Sequence, residues 1–124
     1  MKYKLIERAN PRDRSLPNKW YASPVNSGKV TEKSIAKEIA SRSSLTAGDV
    51  MNVLQNFLDL LPNHLIDGKS VKLGDFGSFR ISFSSTGVET KEDFTTDKIK
   101  GRKVIFTPSS DFKNGLNRIS FEKQ

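Results

Sequence analysis

Few side chains in this sequence are equipped for covalent or acid–base chemistry. Cysteine is absent, which removes a thiolate nucleophile, disulfides and Cys-ligated zinc. The one histidine, His64, stands beside Pro62 near the end of an apolar run, where a cap or surface role fits better than a catalytic base. Glu89, Glu92, Asp93 and Asp97 form an acidic group, but it lacks the ligand spacing and central glycine of a calcium loop. No catalytic residue, metal site, cofactor or small-molecule substrate is therefore expected. What the chain does supply is positive charge, with a formal net of +7, and the chemistry of clustered Lys and Arg is neutralisation of a polyanion.

The charge is unevenly spread. Within residues 1–30, Lys2, Lys4, Arg8, Arg12, Arg14, Lys19 and Lys29 face only Glu7 and Asp13, so five of the seven excess charges lie in the first quarter. That segment also carries Pro11, Pro17 and Pro24, with short strand-like patterning in YKLI and KWYA. It reads as an extended basic arm able to add a strand or two to a neighbour, or as a solubilising tail anchored at Trp20 and Tyr21. No run approaches the ~18 apolar residues of a membrane span, and MKYKLIERANPRDRS lacks the apolar core of a secretion signal. A soluble, unexported protein in a reducing compartment is expected.

From Thr31 the texture is that of a folded domain, so the expected division is residues 1–30 as a basic extension and 31–124 as one domain. Thr31 can cap a short helix through Ser41 or Arg42, with Ile35, Ile39, Ala36 and Ala40 at helical spacing. Thr46 followed by Asp49 resembles a capping box, with Leu45 and Val50 placed as a staple. Val50, Val53, Leu54, Phe57, Leu58, Leu61 and Leu65 then follow helical spacing, with Pro62 bending the helix without ending it and Gly68 closing it. This stripe exceeds what one small helix can cover, so either the following sheet or a second copy of the chain must pack on it.

After Gly68 the period becomes two. Val71 and Leu73 alternate with Ser70 and Lys72, and Phe79, Ile81 and Phe83 with Ser78, Arg80, Ser82 and Ser84. Residues 103–107, KVIFT, return as a strand. The polar stretch between is too long for a tight hairpin, and a protruding β-arm is expected there. Ser109 or Ser110 caps a last helix whose buried face is Phe112, Leu116 and Ile119.

DGKSVKLGDFGSFRIS and VIFTPSSDFKNGLN, in this order of elements, resemble the HU and integration host factor family of bacterial DNA-architectural proteins. The resemblance covers residues 31 to about 121; residues 1–30 look like the extension of longer histone-like variants. It implies an α+β fold: two N-terminal helices, an antiparallel sheet with a long β-arm, a C-terminal helix, and an intertwined homodimer. Gly77 keeps the family's place, whereas Asp75 stands where a glycine is usual and Gly74 lies one position earlier. Phe76, Phe79 and Phe106 would fill the shared core.

The function implied is largely sequence-nonspecific binding of double-stranded DNA by a nucleoid-associated homodimer in the cytoplasm, coating or bending the duplex. Carried over by position, Arg80, Ser82 and Ser84 are outward on the saddle strand, Lys113 matches a helix lysine that meets phosphate, and Lys100, Arg102 and Lys103 cluster at the arm's return base. The arm departs from the family: Val88-Glu89-Thr90 replaces the Arg-Asn-Pro wedge, and residues 85–98 carry a net charge of −2. Strong kinking by the arm tips is not expected, and Phe94 is the only apolar candidate for a wedge there. Attraction would come from the saddle and the basic N-terminal segment. The alternative is a protein-interaction module of the same fold with weakened DNA binding, which the acidic arm favours.

Overall fold

A computed structural model describes residues 1–124. The chain divides into two compact units, one of residues 32–116 and one of residues 1–31 with 117–124.

The larger unit opens with helix α1 (Glu32–Ser41) and helix α2 (Ala47–Ile66). The start of α2 is the capping box read from the sequence. The Thr46 hydroxyl accepts from the Asp49 N–H at 3.1 Å, and the Asp49 carboxylate accepts from the Thr46 N–H at 3.2 Å. Bonding by Thr46, through its side chain first and its backbone second, holds the Asp49 carboxyl below the usual aspartate range. A depressed folded-state pKa adds stability that is complete above the unfolded-state pKa and is lost as pH falls through the depressed value. Thr46→Ala is expected to destabilise the fold by about 1 kcal/mol at neutral pH. Urea titrations of both proteins at neutral and strongly acidic pH should show the gap narrowing in acid.

Pro62 lies inside α2 and the helix continues past it. The exit is a Schellman arrangement: Gly68, at φ +86°, donates to the Leu65 carbonyl at 3.0 Å, and Lys69 donates to that of His64 at 3.1 Å. Only glycine takes that conformation without strain.

Strands β3 (Val71–Leu73), β4 (Gly77–Ser85) and β5 (Ile99–Pro108) form an antiparallel sheet in the order β3-β4-β5. β3 pairs with β4 only from Gly77 to Phe79, so the rest of β4 and β5 is a two-stranded ribbon. Its tip is not a continued hairpin. Residues 86–98 make two single 3-10 turns, at Lys91–Asp93 and Thr96–Lys98, and the Thr86 N–H bonds the Lys98 carbonyl at 3.0 Å to close their base. Consecutive polar residues with local acceptors, such as Asp97 receiving the Thr95 hydroxyl, turn on themselves instead of pairing.

The corner between β3 and β4 uses both glycines. Gly74 has φ +50° and Gly77 φ +154°, and a Cβ on Gly77 would sit 2.6 Å from both the Phe106 ring and the Thr107 carbonyl oxygen. That approach lets Phe106 contact Phe76 at 5.0 Å and Phe79 at 4.9 Å between ring centroids, with Phe112 edge-on at 5.4 Å to Phe76. Phe112 belongs to helix α3 (Ser110–Gly115), which is capped by Ser109 and followed by a 3-10 turn at Leu116–Arg118. Ser109 also ties the corner, donating from its N–H to the Phe76 carbonyl at 3.1 Å and from its hydroxyl to the Asp75 carbonyl.

Ala36, Val50 and Leu65 are the only buried apolar side chains. The stripe on α2 is largely open, with Val53 61% exposed, and Phe57 and Leu58 are exposed as well. Phe112, Leu116 and Ile119, expected as a buried face, are exposed too; α3 ends at Gly115, so Leu116 and Ile119 lie beyond it, and Phe112 keeps edge contacts with Phe76 and Phe106.

The smaller unit corrects the reading of residues 1–30 as an extended arm. Strand β1 (Lys2–Arg8) pairs antiparallel with strand β2 (Lys19–Pro24), from Tyr3 opposite Pro24 to Arg8 opposite Lys19. Strand β6 (Glu122–Lys123) joins the other edge of β1 in parallel, giving the order β2-β1-β6. The prolines fall in the connecting loop and at the strand end, where no ladder N–H is needed, so the strand-like patches are free to pair with each other.

Candidate nucleic-acid interface

Residues directly opposite in a sheet share a face, and residues two apart along a strand do as well. Phe79 opposite Phe106 and Ile81 opposite Val104 mark the apolar face of the β3-β4-β5 sheet. On the other face lie Ser78, Arg80 and Ser82, with Ile105 opposite Arg80 and Lys103 opposite Ser82.

An irregularity then decides which of the remaining cations join them. Ser82 pairs with Lys103 and Ser84 with Lys100, so Phe83 faces two residues, Gly101 and Arg102. This is a β-bulge with Gly101 at φ +67°. The Ser84 hydroxyl donates to the Lys100 carbonyl at 3.1 Å, and a Cβ on Gly101 would lie 2.8 Å from that hydroxyl oxygen. The extra residue shifts the alternation by one. Lys100 comes onto the face of Arg80, Ser82, Ser84 and Lys103, whereas Arg102, next to Lys103, is on the opposite side by ordinary alternation.

There Arg102 lines a hollow of about 620 Å³ with Leu65, Ile66, Ile81 and Phe83. Lys113 is apart from the sheet cations as well. It sits in the last turn of α3, next to Phe112, whose ring contacts are on the apolar side. Of the seven positions expected to meet DNA, the sheet thus gathers five on one face and separates Arg102 and Lys113.

It also adds one that the sequence reading passed over. Lys72 is opposite Ser78 and so shares the polar face. Its alternation with Val71 and Leu73 was visible, but which face it joined depended on the strand register.

The resulting surface carries Lys72, Arg80, Lys100 and Lys103, all exposed, with hydroxyls from Ser82 and Ser84 between them. None of the three strands contains an acidic residue, and no carboxylate lies within ion-pair distance of these cations. Cations left without partners on an open sheet face are suited to a repeating anion such as a phosphate backbone. The acidic residues of the 86–98 turns lie beyond the strands, with Lys98 next to Asp97 at 3.9 Å. Phe94 is exposed at 40%. No cluster of metal-ligating side chains is present, and no helix is long and apolar enough to cross a membrane.

The family described as "HU domain fused to wHTH, Ig, or Glycine-rich motif" matches residues 1–123. Integration host factor subunit alpha of Psychrobacter arcticus is 36% identical over 96 residues, spanning 76% of this chain and 97% of that protein. The same subunit of Psychrobacter cryohalolentis is 26% identical over the same shares. Among solved structures, an Anabaena HU–DNA cocrystal structure superposes with a TM-score of 0.57 at 18% identity, covering 73% of this chain and 100% of that one. A putative DNA binding protein from Bacteroides vulgatus gives a TM-score of 0.62 at 10% identity, covering 98% of this chain and 47% of the other. At such identities the structural likeness is one of fold.

Proposed function

Since this chain belongs to the HU and integration host factor family of histone-like DNA-binding proteins, we propose that it binds duplex DNA as a homodimer, with little sequence preference and without chemistry. The observation that carries the reading is the acid-free sheet face of Lys72, Arg80, Lys100 and Lys103. Contacts of this kind go to phosphates, which every sequence presents alike, so they give affinity without base readout. The duplex is coated or gently bent. A tip of 3-10 turns with no proline and an acidic balance is poorly suited to wedging between base pairs. A place in the bacterial nucleoid, within the cytoplasm, follows from that role.

The homodimer is supported by the open apolar side. The hollow at Leu65, Ile81 and Phe83 and the uncovered stripe of α2 are the surfaces a second copy would fill. The dimer then doubles the cationic face. The interaction-module reading rests on the acidic tip alone, which leaves the sheet cations without a role.

Mass measurement in solution is expected to give twice the chain mass. Gel-shift titrations on unrelated duplexes are expected to give similar affinities. With eight phosphate contacts per dimer, binding should weaken roughly 10⁴-fold between about 50 and about 200 mM salt. A monomer, or affinity indifferent to salt, would remove the proposal.

A further inference from the structure

The sheet of β1, β2 and β6 carries a site that duplex binding by the other sheet does not use. Pairing sets Arg8 opposite Lys19 and Ile6 opposite Tyr21, which puts the two cations and the Tyr21 ring on one face. With Pro11, Leu16 and Pro17 of the connecting loop, they line a cleft of about 400 Å³. Arg8, Lys19 and Tyr21 are all exposed, and neither cation has a carboxylate within ion-pair distance.

The loop's one carboxylate is engaged elsewhere. Asp13 accepts from the Ser15 N–H at 2.9 Å and from the Ser15 hydroxyl at 2.6 Å. Together with the Leu16 N–H on the Asp13 carbonyl at 3.3 Å and the Arg12 N–H on the Asn10 side-chain oxygen at 2.9 Å, these bonds fold the loop. The apolar wall of the cleft is therefore held by local backbone geometry.

We propose that this cleft takes an unpaired nucleotide of single-stranded DNA, with its base against the Tyr21 ring and its flanking phosphates on Arg8 and Lys19. Two unpaired cations would attract any polyanion, and the concavity beside them narrows the class. A duplex keeps its bases stacked and offers only phosphates and groove edges. An unpaired base exposes a flat apolar face, which matches an aromatic ring and a wall of proline and leucine beside cations. Lys2 and Lys4 stand at the same alternation of β1, so a strand running along β1 meets further charge. An anionic lipid headgroup would satisfy the cations but leave the ring and the apolar wall without a partner. The site shares no residue with the cationic face of the β3-β4-β5 sheet, and the two readings fail separately.

The test uses the full chain, titrated by fluorescence anisotropy with labelled oligothymidylate and, separately, with a generic duplex. Tyr21→Ala is expected to weaken oligothymidylate binding roughly tenfold, and Tyr21→Phe, which keeps the ring, to retain it. Arg8→Gln with Lys19→Gln is expected to weaken it and to flatten its salt dependence. Duplex affinity should be far less affected by these changes, whereas Arg80→Glu with Lys103→Glu should do the reverse. Three results would overturn the proposal: oligothymidylate binding indifferent to Tyr21→Ala, oligothymidylate binding lost in the Arg80/Lys103 variant instead, or Tyr21-dependent binding of phosphatidylserine vesicles with none of oligothymidylate.

Discussion

Arg80→Glu combined with Lys103→Glu is expected to lower affinity for generic duplex by about 10³-fold or more at roughly 100 mM salt. Both side chains lie on the polar face of the sheet, one strand apart, with no carboxylate beside them. Each chain loses two phosphate contacts, so a dimer loses four, and each contact contributes about one unit to the salt slope. The introduced carboxylates add repulsion where the backbone must approach. Because both positions are exposed, thermal unfolding should move little. Lys33→Glu combined with Lys37→Glu, an equal charge change on the exposed surface of α1, is the control and should leave binding nearly unchanged. If the double variant bound like the parent, the sheet face would not be the DNA site.

Gly77→Ala should have the largest effect on stability, a loss of about 2–4 kcal/mol, with Gly77→Val failing to fold. The added Cβ would stand 2.6 Å from the Thr107 carbonyl oxygen and 2.6 Å from the Phe106 ring, at a φ of +154°. Neither neighbour can yield cheaply. Thr107 belongs to the β4-β5 ladder, opposite Ser78, and Phe106 is packed among Phe76, Phe79 and Phe112. Gly87→Ala, which meets nothing within 4 Å, is the matched control and should be close to neutral. The measurement is urea unfolding at one fixed chain concentration, because the proposed dimer couples folding to association. A Gly77→Ala protein within about 0.5 kcal/mol of the parent would show that the corner has room the structure does not give it.

The local features of the helical and sheet unit were legible because they depend on neighbours in sequence. The Thr46–Asp49 box, the left-handed Gly68 and the Ser109 cap each involve residues a few positions apart, and the structure has all three. The apolar stripe of α2 was legible as a stripe, but periodicity does not name what covers it. Within one chain, Val50 and Leu65 find cover and Val53, Phe57 and Leu58 do not. In the N-terminal segment the two strand-like patches were legible, but that they pair with each other and with a third strand from the far end of the chain was not. Nothing near Lys2 in sequence indicates that Glu122 will lie beside it.

By itself the sequence determined where α1 and α2 begin and end, where α3 begins, where the period changes from helix to strand, and that cations outnumber carboxylates. Those properties follow from capping, alternation and composition, which act over a few residues or none. Tertiary structure alone decided which cations share a surface. A single extra residue at Gly101 moves Lys100 onto the face of Arg80 and Lys103, whereas plain alternation from Lys103 leaves Arg102 on the other, and strand register brings in Lys72. Side chains in a sheet alternate with a period of two, so one step of register reverses every assignment beyond it, and only paired strands fix that step.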